Sequence, residues 1–226
     1  LDALCTQVRV IAPDLPGFGS SHAVEGTVTM SEFADGLVGL LDAMSISEPV
    51  HYCGLSMGGY IGWEFWRRHS IRLKSLIQAD TRAVADTEQV ARARQMMAGM
   101  VVVNGAESVA NTMLEKLFAP ETHQRLPEVV EATRSVMAGT DPQAIAAAQR
   151  GMSERSDFSD LISQIDVPSL LICGEFDVIS PPDEMKSIAD GMPNASFVAI
   201  EQAGHLPPLE NPPSFNDAVL SFLAKL

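Results

Sequence analysis

The sequence predicts an α/β fold: a mostly parallel sheet flanked by helices, with an all-helical block inserted between its third and fourth strands. Three observations carry that prediction. Short apolar, strand-patterned runs alternate with helix-patterned segments at both ends of the chain. No convincing strand occurs between about residues 81 and 160. The 226 residues, 46% hydrophobic and 19% charged, are enough for one sizeable domain carrying a subdomain.

The elements follow in order. "VRVIAPD", Val8 to Asp14, predicts a strand that ends in a Pro-Asp-Leu-Pro-Gly turn cluster. "SEFADGLVGLLDAM", Ser31 to Met44, places Phe33, Leu37, Leu40, Leu41 and Met44 at helical spacing, with Ser31 as the expected N-cap. "PVHYCGLS" predicts a buried strand that runs into glycines, and "GGYIGWEFWRRH" a helix with cations in its last turn. "LKSLIQAD" is the third strand. Residues 81–160 are rich in Ala, Met, Arg, Gln and Glu, with breaks at Gly105, Pro120, Pro127 and Asp141-Pro142, and predict four or five helices. "PSLLICGEFD" resumes the sheet, "PPDEMKSIADGM" is a helix started by proline, "ASFVAIE" is a strand and "PPSFNDAVLSFLAKL" a closing amphipathic helix. Residues 1–80 and 161–226 thus form a core, and 81–160 a helical subdomain.

Composition excludes several classes. A net charge of −14 argues against nucleic acid or an anionic membrane as partner, because both are polyanions. No apolar run approaches a membrane span, and no signal peptide is expected at the start. Cys53 and Cys173 lie in apolar runs and are expected to be buried; with Cys5 they show no metal-ligand spacing. The expectation is a reduced, cytoplasmic protein without metal or organic cofactor, its oligomeric state undetermined.

Gly54-Leu55-Ser56-Met57-Gly58 satisfies G-x-S-x-G between a strand and a helix. Such a turn is tight enough to strain its central residue, and side chains two positions away are expected to collide with the flanking elements, so glycine stands there. The Ser56 hydroxyl is then exposed at a helix N-terminus, where the Met57 N–H can stabilise an oxyanion. A serine hydroxyl needs a base to take its proton. His51 begins a strand, His69 closes a helix, His123 falls in the helical block, and His22 lies in a loop that stays open as a candidate. His205 follows the last strand in "EQAGHLPPLENP", a loop able to reach the top of the sheet. The orienting acid is expected at a strand end too: Asp177 in "LICGEFDVISPP", with Glu175 its neighbour and Asp80 after "LIQA" a second candidate. Ser56, Asp177, His205 is the chain order of a hydrolase triad built on such a sheet.

The segments "RVIAPDLPGFGSS", "GLSMGGYIG", "LIQADTR", "LLICGEFDVISPP" and "AGHLPPLENPPSFNDAVLSFL" together resemble the α/β-hydrolase superfamily over nearly the whole chain. They look most like small bacterial-type carboxylesterases and 3-oxoadipate enol-lactonases. The resemblance implies an ester or lactone as substrate, residues 81–160 as a lid, or cap, and a serine in place of the aspartate that dehalogenases and epoxide hydrolases use. It also implies strands before "RVIAPD", including one that is followed by a loop supplying the second oxyanion donor and that lies between the "RVIAP" and "VHYCGLS" strands. The sequence is therefore expected to be incomplete at its N-terminus. Met96, Met97, Met100, Met113, Met137 and Met152 suit a pocket wall, though helix-helix core is the ordinary reading. Of the arginines, Arg82 is the best placed to hold a substrate carboxylate. The insertion is expected to govern substrate choice and not chemistry. A C–C bond hydrolase or cofactor-free perhydrolase with the same triad, and a catalytically silent small-molecule receptor, are the alternatives.

Overall fold

The computed structural model describes residues 2–226. Helices α1 (Asp2–Cys5) and α2 (Met30–Ala43) precede the sheet. Four strands then pair among the described residues: β1 (Val50–Leu55), β2 (Leu73–Ala79), β3 (Ser169–Gly174) and β4 (Ala195–Ile200), in the order β1-β2-β3-β4 and all parallel. Parallel neighbours need long crossovers. Helix α3 (Met57–His69) joins β1 to β2. Five helices stand between β2 and β3: α4 (Glu88–Asn104), α5 (Ala106–Leu117), α6 (Thr122–Arg125), α7 (Pro127–Ala138) and α8 (Pro142–Ser153). Helix α9 (Pro182–Gly191) joins β3 to β4, and α10 (Pro207–Glu210) and α11 (Pro212–Leu223) close the chain.

Alternation along β3 divides the core in two. Leu170 and Ile172 point toward Phe215, Val219 and Phe222 of α11, while Leu171 and Cys173 point toward α2, α3 and α9. Both faces of a parallel sheet are covered in this way, which is why β3 is buried at every position.

Three expectations need correction. Val8–Asp14 forms no strand: among the described residues no strand pairs with it. Between it and β1 lies a cleft of about 530 Å³, lined by Val8, Ile11, Leu37, Tyr52 and Leu55 among others. Cys53 is exposed on that open edge instead of buried, while Cys173 is buried as expected. The N-cap of α2 is Thr29, not Ser31: the Thr29 hydroxyl accepts from the Glu32 N–H, and the Glu32 carboxylate accepts from the Thr29 N–H at 2.7 Å. A threonine three residues before a glutamate closes a capping box, which Ser31 cannot.

Candidate active site

Register brings the strand ends together. Leu55 faces Ala79, Ala79 faces Ile172, and Gly174 faces Ile200. The residues that follow, Ser56, Asp80, Asp177 and the loop to His205, therefore leave the sheet along one edge, its carboxyl end, where open α/β sheets place their ligands.

Ser56 has φ 54° and ψ −111°, a conformation non-glycine residues avoid. Its N–H donates to Ala79 O at 2.9 Å, and the Thr81 hydroxyl donates to Ser56 O at 2.8 Å. A Cβ at Gly54 would collide with the Gly58 carbonyl, and one at Gly59 with Thr81. Gly58 has open space around it, so the steric argument holds for Gly54 and moves from Gly58 to Gly59. The Ser56 hydroxyl makes no cap bond to α3. The Met57 N–H heads that helix, among the donors that have no acceptor within it.

His205 is 2% exposed and Asp177 3%. His205 Nδ1 donates to Asp177 Oδ2 at 2.8 Å, which leaves Nε2 as the basic nitrogen. Asp177 Oδ1 accepts the N–H groups of Ile179 at 2.8 Å and Ser180 at 3.2 Å, and the Ser180 hydroxyl donates to Oδ2 at 2.9 Å. Burial by itself would raise the Asp177 pKa, but the imidazole and the two backbone N–H groups outweigh it and hold the carboxyl below its ordinary value. Among the described residues no hydrogen bond joins His205 to Ser56; such catalytic bonds commonly tighten only around substrate.

Asp80 is fully buried beside this pair, at φ 47°. Its Oδ1 accepts the Gly174 N–H at 2.8 Å, and its Oδ2 has no partner. Burial, then the neighbouring Asp177 charge, drives its pKa well above the ordinary value. Asp80, Asp177 and His205 each offer an atom within 4.8 Å of the others, a spacing that a cation also fits. Asp177 and His205 direct those atoms at each other, which is the pattern of an acid–base relay.

The remaining candidates stand elsewhere. Glu175 is exposed and accepts the Gln202 N–H at 3.1 Å. His51 bonds Ser75, His69 bonds Asp35, His123 lies edge-on to Phe118, and His22 is exposed. The Arg82 guanidinium donates to Glu184 of α9 at 2.7 Å, so the cation expected to meet a substrate carboxylate already holds a protein one. Sequence reasoning missed Ser180, although a serine three residues beyond an aspartate in a proline-ended turn is a side-chain-to-backbone turn signal. It also missed Glu210, which bonds the nearby Gly204 and Leu206 N–H groups and, 91 and 88 residues away, Ala119 and Thr122, a pairing that no local pattern reveals. None of Ser56, Asp177 and His205 lines the cleft at the β1 edge.

A family model described as alpha/beta hydrolase fold matches residues 1–212. The chain is 27% identical to 3-oxoadipate enol-lactonase 1 of Acinetobacter baylyi over 224 residues, which is 99% of this chain and 82% of that protein. The structure of a thermophilic esterase from Thermogutta terrifontis, solved with malate bound, superposes with a TM-score of 0.98 at 40% identity, covering 99% of this chain and 82% of that one. The enol-lactonase from Burkholderia xenovorans superposes with a TM-score of 0.85 at 27% identity, covering 93% and 78%.

Proposed function

The chain belongs to the alpha/beta hydrolase fold family, and from that premise we propose that it is a serine hydrolase cleaving a carboxylic ester or lactone of a small molecule. The observation that carries the reading is the buried Asp177–His205 pair, standing at the same sheet edge as a strained, uncapped Ser56. Enol-lactonase and esterase relatives support the substrate class.

In this reading His205 Nε2 takes the Ser56 proton as Oγ attacks the carbonyl carbon. The Met57 N–H stabilises the oxyanion, an interaction that strengthens as negative charge develops. The imidazolium then protonates the leaving alkoxide, which departs from an alcohol ester and stays tethered in a lactone. Water, deprotonated by the same imidazole, splits the acyl-enzyme. Asp177 fixes the tautomer and balances the imidazolium charge throughout. Helices α4 to α8 serve as the lid over this edge. The free thiols of Cys5, Cys53 and Cys173 suit a reducing cytoplasm. No helix among the described residues is long and apolar enough to cross a membrane.

The test combines a fluorophosphonate probe with turnover of p-nitrophenyl esters and simple lactones. The expected result is stoichiometric label on Ser56 and ester or lactone hydrolysis that Ser56→Ala lowers by about 10⁶ in kcat. Retention of a tenth of the wild-type rate in pure Ser56→Ala protein would remove Ser56 from the mechanism. Label without ester or lactone turnover, together with cleavage of a β-diketone, would move the reading to a C–C bond hydrolase.

A further inference from the structure

The loop that carries His205 is held by one buried carboxylate. Glu210, at the end of α10, is 2% exposed. Its Oε1 accepts the Gly204 N–H at 2.7 Å and the Leu206 N–H at 3.3 Å, the two amides that flank His205. Its Oε2 accepts the Ala119 N–H at 2.8 Å and the Thr122 hydroxyl at 2.6 Å, both from the helical block. The N–H of His205 itself donates to Leu117 O at 2.9 Å. Three consecutive amides, Gly204, His205 and Leu206, are thus bonded either to Glu210 or to the block.

The contact leaves no slack. A Cβ at Gly204 would lie 2.5 Å from the Ala119 nitrogen, and the Arg125 guanidinium adds bonds to Gln202 O at 2.8 Å and Glu210 O at 3.1 Å. Among the described residues no cation pairs with the Glu210 carboxylate, so its charge rests on four N–H and O–H donors. Those donors lie on two sides, two to each oxygen. Only a carboxylate accepts at both oxygens; a glutamine would present an NH₂ to one pair of donors.

We infer that Glu210 is a positioning residue for His205, acting together with the corner of the block from Leu117 to Thr122. One oxygen sets the backbone of the histidine loop, and the other fixes that loop to the block, so the imidazole is held in place against Asp177 from behind. The inference rests on the hydrolase reading of His205. On this inference the insertion would do more than govern substrate choice, since one corner of it would support the proposed base.

The experiment measures kcat per active site, with sites counted by fluorophosphonate titration and p-nitrophenyl acetate as substrate. A purely structural role lowers the count of sites and leaves the rate at each unchanged. Glu210→Gln is expected to lower kcat per titrated site by about tenfold or more with KM within about twofold, because small misplacements of a catalytic group are costly. A rate per site within twofold of wild type would overturn the inference. If Glu210→Gln does not fold, Thr122→Val decides: a fall of about threefold or more, restored by Thr122→Ser, supports the inference, and no fall overturns it. Wild-type protein that neither turns over ester nor takes label defeats the hydrolase reading instead. The hold on the loop is then judged by amide exchange. Thr122→Val should accelerate exchange at Gly204 and Leu206 while β3 stays protected, and unchanged exchange at those two amides overturns it.

Discussion

Asp80 and Asp177 share one buried corner and are driven in opposite directions. Asp177 has an imidazole and two backbone N–H groups to receive its charge, whereas Asp80 has one N–H and an orphaned oxygen. Two carboxylates this close in a dry site cannot both be ionised cheaply, so the proton stays on Asp80. Its neutral carboxyl can donate from Oδ2 toward Asp177 while Oδ1 accepts from Gly174. Burial gives the Cys173 thiol beside them a raised pKa as well. The consequence for stability has a definite sign. Above the ordinary carboxylate value of 3.8 the unfolded chain gives up this proton while the folded protein keeps it, so Asp80 makes folding less favourable as pH rises toward its folded pKa. Asparagine reproduces the neutral acid, with one acceptor and one donor, and does not titrate. Asp80→Asn should therefore gain stability relative to wild type at about 1.4 kcal/mol per pH unit across that window. Urea unfolding of both proteins at a series of pH values rising from about 4 checks this, and a difference that does not grow with pH anywhere in the series would count against a raised Asp80 pKa. The sequence offered both aspartates as the orienting acid because both follow strand ends. Only the placement of the two after β2 and β3 separates the partner of His205 from its neutral neighbour.

At the scale of elements, four strands and the helices between them were legible because period-two apolar runs and 3.6-residue stripes survive in sequence. Val8–Asp14 was not, because a strand is defined by its neighbour, and its β-branched run says nothing about whether one is present. The glycines of the elbow were legible as a group, while the assignment of the tight contact to Gly59 depended on where Thr81 falls in space. The methionines of the block divide in the same way. Met96 and Met100 are 68% and 54% exposed on α4. Met113 and Met137 instead pack with Leu114, Leu117 and Phe118 against Ile179 and Leu206, which are neighbours in sequence of Ser180 and His205. Pocket walls should come from this second group. Met137→Ala should change the ratio of kcat/KM between butyrate and octanoate p-nitrophenyl esters by about 1–3 kcal/mol, the range for methylene-sized changes in an apolar pocket. Met96→Ala should leave the ratio unchanged. If Met96→Ala shifts it as far, the acyl chain lies on the opposite side of the block.

At the scale of the whole molecule, the block is joined to the body by a buried ion cluster as well as by Glu210. Asp86, in the segment leading into α4, bonds both Arg94 of α4, at 2.6 Å, and Arg155, just beyond α8. The side chains of Asp86 and Arg155 are 3% and 4% exposed. Arg155 also donates to Val84 O at 3.0 Å, and its guanidinium stands 4.3 Å over the ring of Tyr60 on α3. The chain enters and leaves the block at this knot, and α3, which follows directly on Ser56, packs against it through Tyr60. None of this was legible in sequence, where no local pattern pairs Asp86 with Arg155, 69 positions away. Replacing Asp86 by alanine leaves two arginines facing each other, one of them in a dry site. Removing one partner of a buried pair costs about 3–5 kcal/mol, far above the value of an exposed ion pair. Asp86→Ala should therefore lose that much in urea unfolding, and adding Arg155→Met should restore a large part by removing the stranded charge. The net charge of −14 does not offset the loss, since distant surface carboxylates are screened at physiological salt while the buried guanidinium is not. A loss below about 1 kcal/mol would place the cluster with exposed surface pairs and would leave the apolar contacts of α8 as the attachment of the block to the sheet.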